Sequence, residues 1–133
     1  MKEPPKRTRG RILLVDDDQA HRNFLERGLR YEGYQVRLAA EGQEGLELAL
    51  TEPPDLILLD IMMPGMNGFA VARALHQAGL RVPIVFISAS DEPETCEEAR
   101  LLGVPLLIKP VNLDELLERI AQNLHACSQV SPG

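Results

Sequence analysis

Four apolar runs in this sequence each end on residues able to do chemistry. Ile12-Leu13-Leu14-Val15 runs into Asp16-Asp17-Asp18, and Leu56-Ile57-Leu58-Leu59 runs into Asp60. Ile84-Val85-Phe86-Ile87 ends on Ser88, and Leu106-Leu107-Ile108 ends on Lys109-Pro110. Taken singly, most of these have a bland explanation. An Asp just after a strand is a common helix N-cap, which would suffice for Asp17 or Asp18. Ser88 alone is a loop residue and Lys109 alone a surface lysine. Asp60 is harder to set aside: a carboxylate between Leu59 and Ile61-Met62-Met63 is costly to bury unless it is paired or metal-bound. The bland explanation needs four coincidences at once.

Converging carboxylates repel one another and call for a cation. Hard oxygen ligands suit Mg2+ or Ca2+ rather than zinc, and Mg2+ commonly takes one or two carboxylates while leaving room for water and phosphate. A lysine and a hydroxyl aimed at the same point supply the positive charge and hydrogen-bond donor that a phosphoryl group requires. One carboxylate in such a group could act as nucleophile and form an acyl phosphate.

The elements that must position these groups follow from periodicity. The runs Ile12–Val15, Val36–Ala39, Leu56–Leu59, Ile84–Ile87 and Leu106–Ile108 are short and continuously apolar, as expected of strands buried on both faces. Between them lie segments with helical spacing. Phe24, Leu25 and Leu29 mark the first, closed by Gly33, and Leu46, Leu48 and Leu50 the second, stopped by Pro53-Pro54. Val71, Ala74 and Leu75 mark the third, and Ala99, Leu101 and Leu102 the fourth before Gly103. Leu113, Leu116, Leu117, Ile120 and Leu124 form the fifth, with Asn112 as its N-cap. Five strands alternating with five helices predict an α/β fold with a parallel sheet and right-handed crossovers. Ligands bind such sheets at the carboxyl ends of the strands, where all four polar groups fall.

Bulk properties narrow the classes further. A length of 133 residues accommodates one domain with one real core. Aromatic residues make up 4% and Trp is absent, so the core must be aliphatic. The net charge of −6 argues against direct nucleic-acid binding, which needs clustered cations. Lys2, Lys6, Arg7, Arg9 and Arg11 make the N-terminus locally basic, with a solvated tail as the bland reading; residues 1–10 and 126–133 read as tails, leaving the domain at 11–125. Cys96 and Cys127 lack redox or zinc spacing. No apolar stretch reaches the ~18 residues of a membrane span, and no signal peptide is evident, so a cytoplasmic location is expected.

Together these residues resemble the receiver domain of bacterial two-component response regulators. The matching strings are Ile12–Asp18, Asp55–Gly68 with its Asp-x-x-Met-Pro-x-Met-x-Gly pattern, Pro83–Ala89 and Lys109-Pro110. The resemblance covers roughly residues 10–125. It implies a flavodoxin-like doubly wound sheet of strand order 2-1-3-4-5, an order for which this family is itself a reference case. It implies Asp60 as phosphoacceptor and a magnesium site made by Asp16, Asp17, Asp60 and the backbone carbonyl of Met62. Asp17 would be the direct ligand of the acidic pair, with Asp16 holding coordinated water. Ser88 would be the switch hydroxyl, Lys109 the partner of the phosphoryl oxygens, and Pro110 the proline often found there in a cis peptide. The implied function is phosphorelay signalling: a sensor histidine kinase or phosphotransfer protein donates the phosphoryl group. The signal then passes to a downstream protein, or to an output domain outside this sequence, through a surface on the Ser90–Gly103 helix and Leu106–Ile108. Such a domain is not an enzyme beyond its own phosphorylation and dephosphorylation.

Two features depart from the family pattern. Leu106 stands three residues before the lysine, where the family usually has an aromatic that reports phosphorylation. The stretch Gly103–Lys109 also looks one residue short. Neither touches the acceptor chemistry. A phosphohydrolase of the haloacid dehalogenase type also uses an Asp nucleophile, Mg2+, Ser/Thr and Lys, but its nucleophile is usually followed two residues later by a second Asp. Here that position is Met62, and the chain has no room for a lid domain. A pseudo-receiver acting as a constitutive binding module would have lost the acidic pair, the acceptor or the lysine, and all are present.

Overall fold

The computed structural model describes residues 9–129, with side chains described through Leu124. Strands β1 (Arg11–Val15), β2 (Gln35–Ala39), β3 (Leu56–Asp60), β4 (Ile84–Ser88) and β5 (Leu106–Ile108) alternate with five helices. These are α1 (Gln19–Tyr31), α2 (Gly42–Thr51), α3 (Gly68–Gln77), α4 (Pro93–Leu102) and α5 (Leu113–Gln129). All strand pairs are parallel, in the order β2-β1-β3-β4-β5. The chain therefore has the expected doubly wound α/β architecture.

Because successive side chains of a strand point to opposite faces, the three inner strands must be apolar on both. On one face Ile12, Leu14, Leu56, Leu58, Val85 and Ile87 pack with Leu25 and Leu29 of α1 and Leu116 and Ile120 of α5. On the other, Leu13, Val15, Ile57, Leu59 and Phe86 pack with Ala49 of α2, Val71 and Leu75 of α3 and Ala99 of α4. Each large aliphatic side chain buried this way contributes roughly 1.5–3 kcal/mol. Phe69 and Phe86 meet edge to face with ring centroids 5.1 Å apart, and with Tyr34 on the opposite face they are the buried aromatics of a mostly aliphatic interior.

The two edge strands depart from the expectation of burial on both faces. In β2, Val36 is buried on one face, whereas on the other Gln35 and Arg37 are exposed and only Ala39, near the carboxyl end, is covered. In β5 only Leu107 is buried, and Ile108 is exposed. Four helical residues expected on buried faces also lie at the surface: Phe24, Leu50, Leu101 and Leu102. Leu25 and Ala49 take the inward positions beside Phe24 and Leu50, and in α4 Ala99 faces the core.

The helix ends follow local chemistry. Asp18 caps α1 by accepting the His21 N–H at 3.1 Å. Asn67 caps α3 through Ala70 at 2.9 Å, and Asn112 accepts the Glu115 N–H at 2.9 Å at the start of α5. Helix α4 spans less than the expected Ser90–Gly103: Pro93 opens it, since a missing N–H costs nothing in a first turn. Gly103 closes it at φ 71°, a left-handed conformation natural to glycine. Helix α5 continues to Gln129, so residues 126–129 belong to it rather than to a tail. Lys2, Lys6, Arg7 and the Cys127 side chain lie outside the described residues.

Candidate phosphoacceptor and metal site

The parallel register brings the four polar strand ends to one edge. Asp60 pairs with Ile87 across β3 and β4, so Ser88 lies one residue beyond it, and Ser88 in turn pairs with Ile108, the residue before Lys109. On the other side Val15 pairs with Leu59, which sets Asp16 beside Asp60. One carboxylate oxygen from each of Asp16, Asp17 and Asp60 lies within 4.8 Å of the others. Asp16 and Asp60 are buried and Asp17 is exposed, giving the group two inner walls and one outer lip.

Lys109 reaches in from the β5 end. Its Nζ donates to Asp60 Oδ2 at 2.9 Å and to Asp16 Oδ1 at 3.3 Å. Burial opposes the ammonium, yet the bonds and charges of Asp60 and Asp16 outweigh it and hold Lys109 above the usual lysine range. At Asp60 burial prevails, reinforced by the Asp16 charge and opposed by Lys109, and its carboxyl is pushed up to about 6. Asp16 goes the other way. Burial raises it, but bonds from His21 and Asp18 and the Lys109 charge together bring it below the ordinary carboxylate range. Two neighbouring carboxyls driven apart in this manner are close like charges, a repulsion that Lys109 offsets and a further cation would relieve.

The backbone around Asp60 is fixed. Met62 N–H donates to Asp60 Oδ1 at 3.1 Å, and Gly68 N–H donates to the Ile61 carbonyl at 3.0 Å, closing the loop that carries Met63-Pro64-Gly65-Met66. A Cβ at Gly68 would lie 2.6 Å from the Asp60 carbonyl oxygen and 2.8 Å from Ile61 Cα. Only glycine lets the loop come back this close. The Lys109–Pro110 peptide is cis, as the resemblance implies.

Ser88 is fully buried, but its hydroxyl oxygen accepts the Ser90 N–H at 3.0 Å. Among the described residues it makes no hydrogen bond to the carboxylates. Its carbonyl accepts the Lys109 N–H at 2.8 Å, which ties the loop after β4 directly to the loop after β5. Met62 is exposed on the rim.

Two contributors escaped the sequence reading. Arg22 Nη1 donates to the Asp16 carbonyl at 2.6 Å, clamping the loop after β1 to α1. His21 Nδ1 lies 2.6 Å from Asp16 Oδ2. A signal existed: with Asp18 as N-cap, position 21 falls on the first turn of the helix, directly behind the acidic pair.

The chain belongs to the response regulator receiver domain family, whose model matches residues 12–121. It is 41% identical over 115 residues to the response regulator MprA of Mycolicibacterium vanbaalenii, a match that covers 83% of this chain and 48% of that protein. The MprA of Mycobacterium leprae is 42% identical over 115 residues, covering 83% of this chain and 49% of that one. The chain thus spans about half the length of the curated relatives it matches. Among solved structures, a CheY-like receiver domain protein from Methanospirillum hungatei superposes with a TM-score of 0.85 at 31% identity, covering 91% of this chain and 98% of that one. A Francisella response regulator receiver domain gives 0.83 at 28% identity, covering 89% and 98%.

Proposed function

We propose that this receiver domain accepts a phosphoryl group onto Asp60 from a histidine kinase or phosphotransfer protein, in a magnesium-dependent reaction, and switches a protein-interaction surface. The observation that carries the reading is the buried carboxylate of Asp60, held between a lysine ammonium and two further carboxylates.

The donor set fits a hard divalent ion: oxygen ligands only, two of the three carboxylates buried, and an open side at Asp17. Asp17 and Asp60 would hold the ion directly, Asp16 would act through coordinated water, and the Met62 carbonyl would complete the protein's share. Magnesium bound there supplies the positive charge that lets an anionic carboxylate and an anionic phosphoryl group approach.

In the transfer, one Asp60 carboxylate oxygen attacks phosphorus of the donor phosphoimidazole. The O–P bond forms as the P–N bond breaks, and the departing imidazole nitrogen keeps the electron pair and takes a proton from solvent. Lys109 leaves its two-carboxylate position to meet the new phosphoryl oxygens. Phosphorylation adds roughly one further negative charge and new acceptor oxygens, and the Ser88 hydroxyl, which accepts the Ser90 N–H in the unmodified domain, turns to donate its proton to one of them. Hydrolysis of the acyl phosphate returns Asp60, so the domain turns over only its own modification.

The signal leaves along α4 and β5. With Leu106 in place of an aromatic, the Lys109–Ser88 backbone bond supplies the coupling, because it makes the two loops move as one. On α4, Glu98 pairs with Arg73 of α3 and Glu97 with Arg100, while Glu94 is exposed. The receiver of the signal is a downstream protein or an output domain outside this sequence. A cytoplasmic location fits this role, and among the described residues no helix is long and apolar enough to cross a membrane. Intact-mass measurement after incubation with acetyl phosphate and Mg2+ tests the reading. A gain of one phosphoryl group is expected, lost on omission of the metal; an unchanged mass in its presence would refute it.

A further inference from the structure

We propose that His21 is a positioning residue for the cation site, selecting which oxygen of Asp16 the site sees; this rests on the magnesium reading above. Asp16 uses its two oxygens differently. Oδ1 accepts the Asp18 N–H at 2.9 Å and faces Lys109 Nζ at 3.3 Å, on the side of Asp60. Oδ2 turns to α1, where His21 Nδ1 holds it at 2.6 Å.

A carboxylate only accepts, so the proton of this bond sits on His21 Nδ1. The remaining ring nitrogen, Nε2, is buried and has no hydrogen-bond partner among the described residues. The ring therefore has a single polar attachment, and that attachment is Asp16. A buried polar atom left unsatisfied is a standing cost, which a mere space-filling side chain at this position would avoid. The placement is also fixed from the main chain, since the N–H of His21 is the one that Asp18 caps. Asp18 thus binds both ends of the device: its backbone N–H holds Asp16 Oδ1, and its side chain holds the backbone that carries the ring.

The last torsion of an Asp side chain is broad and roughly two-fold, so a buried carboxylate does not hold one plane unaided. With Oδ2 bound from behind, Asp16 presents Oδ1 to the site in a fixed plane. Loss of a hydrogen bond that orients a ligand carboxylate typically weakens metal binding by roughly 10–100-fold.

The test is calorimetric titration of magnesium chloride into the full chain and into three variants. His21→Leu keeps the bulk and removes the donor; about tenfold weaker binding is expected. His21→Asn carries an amide nitrogen at the place of Nδ1 and is expected to stay within about threefold of the parent. His21→Gln places its amide one bond too far and is expected to behave as the leucine variant does. Circular dichroism of the metal-free proteins establishes that each is folded, and if the leucine variant is not, the asparagine and glutamine pair decides. Equal binding by the leucine variant and the parent, or equal loss in the asparagine and glutamine variants, overturns the role of His21. A parent that binds no magnesium overturns the functional reading itself, and the His21 role with it.

Discussion

Lys109 Nζ and Asp60 Oδ2 stand 2.9 Å apart, the lysine reaching from the end of β5 past β4 to the end of β3 and joining residues 49 positions apart in sequence. The contact is an ion pair at the floor of an otherwise acidic site, with Lys109 also shared by Asp16. Before any metal or phosphoryl group arrives, this lysine is the cation that makes two buried carboxylates tolerable.

Replacing it should therefore destabilise the metal-free protein. Lys109→Met leaves Asp16 and Asp60 facing each other with no counter-charge. A loss of about 1–3 kcal/mol is expected in urea denaturation without metal, and magnesium should restore part of it. A variant as stable as the parent would show that the pair carries no structural weight.

The raised carboxyl of Asp60 gives a pH signature. Its pKa lies near 6 in the folded chain against 3.8 for an unperturbed group. The folded state thus holds the Asp60 proton more tightly than the unfolded one, and this contribution to stability is complete below pH 3.8 and lost as pH rises through about 6. Asp16, held below its ordinary value, has the opposite sign: its contribution is lost as pH falls through its folded pKa. Comparing the parent with Asp60→Asn isolates the first group. The variant should be the more stable at pH 7.5 without metal, by at most about 3 kcal/mol, with the difference shrinking toward pH 4. A gap that widens on acidification would contradict the assignment.

Magnesium affinity should follow the same group. A metal ion competes with the Asp60 proton, so binding measured by calorimetry is expected to weaken as pH falls below about 6. PH-independent binding between 5 and 7.5 would remove Asp60 from the ligand set.

Gly68→Ala places a methyl 2.6 Å from the Asp60 carbonyl oxygen, where the obstacle is backbone and cannot swing aside. The expected cost is about 1–3 kcal/mol in thermal or urea unfolding. Phosphorylation by acetyl phosphate should slow as well, since the strain falls on the peptide that carries the acceptor.

Much of this was legible in the sequence because the decisive residues terminate apolar runs. Asp60, Ser88 and Lys109 could be placed at one sheet edge simply by counting strands, and Asp16 followed from Val15. What periodicity could not show was which residues stand behind those four. His21 and Arg22 reach the site from a helix through contacts that no strand pattern encodes. Edge exposure was also hidden. Leu106–Ile108 reads as fully apolar, but a strand with one neighbour buries fewer of its side chains than its composition suggests. Leu101 and Leu102 misled for a related reason: two adjacent leucines on a helix point about 100° apart, and here Ala99 faces the core instead.

The acceptor itself can be located by trapping. Borohydride reduces an aspartyl phosphate to homoserine, and peptide mapping after treatment with acetyl phosphate and Mg2+ shows where that residue appears. Homoserine at position 60 alone, dependent on the metal and absent from Asp60→Asn, is the expected result. Homoserine at position 16 or 17, or label retained on Ser88 with position 60 untouched, would contradict it.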